Sequence, residues 1–113
     1  MSILFKDAVQ EQLPATDTTV YDCPANALSA HVQFGNCTNE DAVDTTLVVN
    51  IVKSGDTAGV TNIYIPSTTI LAGTSNSLSG IINVTLMPGD FISAIAGSAA
   101  RLNFKVSVKE IYA

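Results

Sequence analysis

Leu78-Ser-Gly-Ile-Ile-Asn-Val-Thr-Leu-Met-Pro-Gly-Asp-Phe-Ile-Ser-Ala-Ile95 is the stretch whose reading decides the fold. Ile82, Val84 and Leu86 fall on one side of an extended chain and Asn83 and Thr85 on the other, the period of a half-buried strand. Met87-Pro88-Gly89-Asp90 follows as a corner. Proline presets φ at the second position of a type II turn, and glycine takes the positive φ of the third. Tight hairpins prefer the primed turn types, because type II splays its flanking strands. The corner therefore predicts an arch between two sheets, with Pro88 and Gly89 as its structural residues. The fold class that follows is all-β: a single antiparallel β-sandwich, jelly-roll or immunoglobulin-like, of about seven to eight strands with an N-terminal arm.

Downstream, Phe91 to Ala96 reads as a strand that is apolar on both faces. Phe91 and Ile95 share one face, and Ile92, Ala94 and Ala96 the other. One face is left over in a two-sheet protein, so Phe91 and Ile95 are candidate contacts with another subunit or a covering segment. The last strand has Leu102, Phe104, Val106 and Val108 inward and Asn103, Lys105, Ser107 and Lys109 outward. Upstream, Asp17 to Asp22 is a first strand stopped by Pro24. Leu28, Ala30, Val32 and Phe34 alternate with Ser29, His31 and Gln33 in a second. Residues 35–41 read as a turn-rich acidic loop, and Thr45 to Lys53 as a third strand with Leu47, Val49 and Ile51 on one face. Val60 to Pro66 reads as a short edge strand, since Pro66 cannot donate to a ladder. Residues 67–77 read as a connection.

Residues 1–16 differ from the sandwich domain expected over 17–113. Their apolar positions give a rough helical face, too short to be stable alone. Ile3, Leu4, Phe5, Val9 and Leu13 are nevertheless worth roughly 1.5–3 kcal/mol each when buried, before the ordering cost. The leader is therefore expected to be a partner-binding arm that attaches the domain rather than builds it.

The 113 residues carry a net charge of −5 with only five Lys and Arg, which excludes a phosphate-neutralising nucleic-acid binder. No run approaches the roughly eighteen apolar residues of a membrane helix, and no signal peptide is visible, so a start in the cytoplasm is expected. Cys23 and Cys37 are accordingly expected as free thiols, and with one histidine they are too few for a zinc site. His31 stands on the polar side of its strand without a second histidine, a nucleophile elbow or a phosphate loop nearby. Glu40, Asp41 and Asp44 crowd one loop, but calcium takes about six or more oxygens, and a solvated acidic loop is the expectation. Asn36 and Asn83 match the glycosylation pattern incidentally. No catalytic group, metal site or cofactor is assigned.

Thr19-Val-Tyr-Asp-Cys-Pro-Ala-Asn26 resembles the T-x-Y-x-x-P-A-N opening of small virion proteins of tailed bacteriophages. Leu71-Ala-Gly-Thr-Ser-Asn-Ser-Leu78 loosely echoes a later phrase. Leu86-Met-Pro-Gly-Asp-Phe-Ile-Ser-Ala94 matches L-x-P-G-D-x-I-x-A, and Val106-Ser-Val-Lys-Glu-Ile111 matches the ending V-x-V-x-x-I. Cys23, where an aliphatic residue is usual, is the clearest departure. The resemblance covers residues 17 to 112 and implies a non-enzymatic structural component of the virion. A capsid decoration or cement protein is the first expectation. Its partners would be the major capsid protein or other virion proteins, and it would form a homo-oligomer, a trimer where the shell has threefold positions. A neck, tail or fibre subunit of the same fold, and a carbohydrate- or protein-binding sandwich outside a virus, stay open.

Overall fold

The corner at Met87–Asp90 carries the chain from one sheet to the other, as the proline and glycine require. Asp90 N donates to Met87 O at 2.9 Å and Gly89 sits at φ 87°. The computed structural model describes residues 1–98 and 101–113. Its strands are β1 (Ser2–Gln12), β2 (Thr18–Asp22), β3 (Ser29–Asn39), β4 (Thr45–Val52), β5 (Ile63–Ile70), β6 (Thr74–Ser77), β7 (Thr85–Leu86), β8 (Phe91–Ala96) and β9 (Leu102–Tyr112). They pair antiparallel throughout. The five-stranded sheet runs β1-β9-β3-β6 with β7 also on β3, and the four-stranded sheet runs β2-β8-β4-β5. No α-helix occurs among the described residues; Val60–Asn62 and Ser79–Ile81 are single 3₁₀ turns.

β9 is the spine of the larger sheet. Leu102, Phe104, Val106 and Val108 alternate inward as expected and are buried. They face Leu47, Val49 and Ile51 of β4 and Ile92, Ala94 and Ala96 of β8 in one core. Cys23 and Cys37 are free and buried in the same core. Burial pushes the Cys37 thiol up to about 12, which makes it an inert packing group.

Five local expectations need correction. The limb before the corner is mostly a 3₁₀ turn, and Asn83 takes a positive φ of 69°, so only Thr85 and Leu86 pair as strand. Residues 2–12 form a strand rather than a helical face. Residues 35–39 continue β3 instead of opening a loop, and residues 67–77 hold the end of β5 and all of β6. Phe34, expected inward, is 49% exposed. The pairing of β3 with β9 shifts between Val32 and Phe34, so Gln33 is an extra residue. Such a bulge reverses the facing of everything after it. Gly35, Cys37 and Asn39 turn inward in place of Phe34. Pro66 lies on an edge strand as expected, though that strand runs Ile63–Ile70 and Val60–Asn62 ahead of it is a 3₁₀ turn. The β4–β5 register jumps from Leu47–Thr68 to Val49–Ile65 around it, because Pro66 has no N–H for the ladder.

The corner itself is fixed by Asp90. Its carboxylate is buried and accepts from the N–H groups of Met87 and Ser54, both at 3.0 Å, and from Lys53 Nζ at 3.4 Å. Ser54 is thereby drawn under the turn, and a Cβ on Gly89 would lie 2.6 Å from Ser54 Oγ. Gly89→Val is expected to cost more than about 1 kcal/mol in urea unfolding, because strain at positive φ and this clash act together.

Candidate functional site

β1 is an outer strand of the five-stranded sheet, paired to β9 from Ser2–Tyr112 to Gln12–Asn103. Its two halves differ. Val9 and Leu13 are buried in the core, and Leu13 N donates to Leu102 O at 3.0 Å. Ile3, Leu4 and Phe5 are 51%, 47% and 68% exposed. Ile3 and Phe5 pair with Ile111 and Lys109 on the outer face, and Leu4 lies opposite Glu110 on the inner side, so the three wrap the free margin of the sheet. The five residues expected to form one arm surface therefore separate into two that pack into the core and three that meet water.

Between the halves stands a buried anchor. Glu110 is fully buried, and Lys6 Nζ lies 2.9 Å from its Oε2. The Tyr112 hydroxyl donates to Oε1 at 2.7 Å, and the Tyr21 hydroxyl donates to Oε2. The Lys6 ammonium also sits 5.9 Å from the Tyr21 ring centroid, within cation–π range. One carboxylate thus joins β1, β2 and β9 across both sheets. Burial pushes the Glu110 carboxyl up, but hydrogen bonds from Tyr21, Tyr112 and Lys6 outweigh it and hold the group below its usual range. Burial and the bond to Glu110 push the Tyr21 phenol well above its ordinary value. On the outer face, Ser107 Oγ donates to Asp7 Oδ1 at 2.7 Å.

The other candidate residues are dispersed. Phe91 and Ile95 are half-buried on the outer face of the four-stranded sheet, paired with Val52 and Val48. Between them, Asn50 is buried and donates to Gly59 O at 2.9 Å and Asn62 Oδ1 at 2.6 Å, tying the 53–62 loop to that sheet. His31 lies between two hydroxyls, Ser29 Oγ at 3.2 Å and Thr85 Oγ1 at 3.1 Å, with no carboxylate to orient it as a base. In the acidic loop, Asp41 pairs with Arg101, and Asp44 accepts from Ala72 N at 2.8 Å. Among the described residues no three His, Cys, Asp or Glu side chains are grouped to hold a metal. The Lys6–Glu110 anchor escaped the sequence reading because Lys6 and Tyr21 are far from Glu110 in the chain. A charged residue in phase with an apolar strand face, as Glu110 is with Val108, was the available signal.

No protein-family model and no curated protein matches the chain. Among solved structures it is similar to a subunit of Bacillus endospore appendages, described as a family of disulfide-linked pili. The identity is 14%, the match covers 99% of this chain and 90% of that one, and the TM-score is 0.58. It is also similar to a chain of the T13 particle of infectious bursal disease virus, at 13% identity and TM-score 0.53. That match covers 98% of this chain but 31% of the viral one, so the protein spans about a third of that chain's length. A pentameric capsid protein from metagenomic phage sequences aligns at 12% identity over 92% of this chain and 62% of that one; its TM-score of 0.41 carries no weight. Identities this low show a likeness of fold alone, a two-sheet β-sandwich.

Removing residues 1–16 is expected to destabilise the sandwich, contrary to the expectation that the domain is complete without them. Val9 and Leu13 each withdraw roughly 1.5–3 kcal/mol of burial, and Glu110 loses Lys6; an unchanged melting curve would show the strand to be dispensable. The anchor also predicts a pH dependence. Glu110 and Asp90 both titrate below their ordinary values of 4.5 and 3.8 in the folded state. Their stabilisation is therefore complete above those values and is lost as pH falls through the lowered folded ones. Glu110→Gln is expected to lower stability at neutral pH by about 1–3 kcal/mol through buried partners left unpaired. Urea midpoints across the acid limb should also fall less steeply than in the parent.

Proposed function

We propose that the protein is a non-enzymatic structural subunit of a bacteriophage virion, a capsid decoration or cement protein that binds the shell through the free edge of β1. The observation that carries this reading is the state of that edge. Exposed strand edges are normally blunted by proline, bulges or shortness. β5 has Pro66 and a register jump, β2 is five residues with a bulge, and β6 and β7 are four and two residues long. Ser2 to Asp7 has neither proline nor bulge and is paired on one side alone; its two charges, Lys6 and Asp7, are engaged by Glu110 and Ser107 of β9, and it bears Ile3, Leu4 and Phe5. An edge of this kind can accept a strand of the major capsid protein by β-augmentation, with main-chain bonds supplying affinity and the apolar side chains the fit. Phe91 and Ile95 are assigned to contacts between copies, in a trimer at threefold positions of the shell.

A second reading, a subunit of a helical fibre, is favoured by the near-complete mutual cover with the pilus subunit. The disulfide linkage of that neighbour does not transfer to Cys23 and Cys37, which are buried and free. A fibre of this chain would be held by strand edges.

The test uses Ile3→Lys with Phe5→Asp. Both side chains are exposed, so thermal melts should match the parent. Cosedimentation with undecorated shells should lose occupancy by about tenfold or more. Parent-level occupancy would place the contact elsewhere. Filaments of the purified protein in electron micrographs, formed without shells and abolished by the double variant, would favour the fibre.

A further inference from the structure

The C-terminal half of β1 lines a different feature. A groove of about 650 Å³ lies on the outer face of the five-stranded sheet, within the size range of small-molecule sites. Its floor is read from the strand register. Gln12, Asn103 and Thr38 form one row across β1, β9 and β3, and Gln10, Lys105 and Asn36 form the next. Beyond them stands Phe34, turned outward by the Gln33 bulge, and Glu40 also lines the groove. Successive rows on one face lie roughly 6.5–7 Å apart along a strand, so the rows and Phe34 extend past the length of a single sugar ring.

The lining defines the ligand. Its amides and hydroxyl each offer hydrogen-bonding groups at the end of a short side chain, matching a ligand that donates and accepts at every position. One ammonium, Lys105, on a lining that also includes Glu11 and Glu40 does not suit a phosphate chain. An apolar ligand would leave the amides desolvated and unpaired. An extended peptide laid across the floor would find the main-chain groups of β9 paired on both sides, and the unpaired ones of β1 point along the sheet edge, away from the groove.

We propose that this groove binds a neutral oligosaccharide, the amides of Gln10, Gln12, Asn36 and Asn103 bonding to its hydroxyls and Phe34 packing against the C–H face of a ring. The site is separate from the shell-binding edge, since it uses the other half of β1, and neither reading depends on the other. It also assigns a role to the bulge, which exposes the one aromatic side chain on the groove.

The experiment is an NMR titration of the full-length, ¹⁵N-labelled protein with linear tetrasaccharides of glucose, galactose and N-acetylglucosamine in turn. Saturable shifts of the side-chain amides of Asn36, Asn103, Gln10 and Gln12 are expected with at least one sugar. Phe34→Ala should weaken that binding by about tenfold or more without moving the melting temperature or the occupancy on shells. Asn103→Ala, also on the outer face, serves as the second variant should Phe34→Ala melt early. Absence of saturable shifts with all three sugars would overturn the proposal. So would shifts that map elsewhere, or binding by both folded variants at the parent's affinity.

Discussion

A carboxylate removed from water must be neutralised or surrounded by donors, and Glu110 is surrounded. Desolvation alone would favour its protonated form; two phenol hydroxyls and an ammonium reverse that preference. Two of the donors come from places the sequence separates from Glu110, Lys6 on β1 and Tyr21 on β2, while Tyr112 stands two residues on along β9. β1 and β2 belong to different sheets, so the interaction closes that side of the sandwich. It also sets the level at which β1 stops contributing to the core and becomes an exposed margin. Breaking one member of a buried charged group leaves the others unpaired, which is why such a cluster specifies an arrangement more than it adds net stability.

What the sequence disclosed depended on whether a strand kept its period. β4, β8 and β9 alternate without interruption, and Leu47, Val49, Ile51, Ile92, Leu102 and Phe104 all lie where alternation puts them. The Pro88-Gly89 corner was legible because proline and glycine admit few backbone conformations. The bulged strands were not. β1 carries an extra residue at Ala8, between Asp7 and Val9, and β3 carries one at Gln33. An inserted residue turns one step of two into a step of three: Lys6 to Val9 on β1, Val32 to Gly35 on β3. Steps of three and four define a helical face, so a bulged strand in a short leader imitates an amphipathic helix. On β3 the apolar Phe34 continued the alternation past the point where the backbone had already turned it out.

The candidate surfaces follow the same rule. Ile3, Leu4 and Phe5 were identifiable as apolar and surplus, but that they lie on a sheet margin required the pairing with β9. Val9 and Leu13, of the same chemical type, could not be told apart from them while the leader had no assigned conformation. The polar rows Gln12–Asn103–Thr38 and Gln10–Lys105–Asn36 join residues about ninety and sixty-five positions apart, and only register brings them together.

The two bulges flank β9 at nearly one level, with Gln33 between the partners of Val108 and Ser107 and Ala8 between those of Ser107 and Val106. Bulges sharpen the local twist of the strands that carry them. A sheet twisted from both sides of its central strand has two ends that face different directions. At one end the margin presents Ile3, Leu4 and Phe5; at the other the outer face holds the amide-lined groove. In the proposed attachment, a copy would use one end to hold its neighbour and leave the other open to solvent, with β9 joining the two as a strand paired on both sides. That division needs no moving part and no catalytic group. It requires that the phase of β1 and β3 change where it does, and the bulges supply that change.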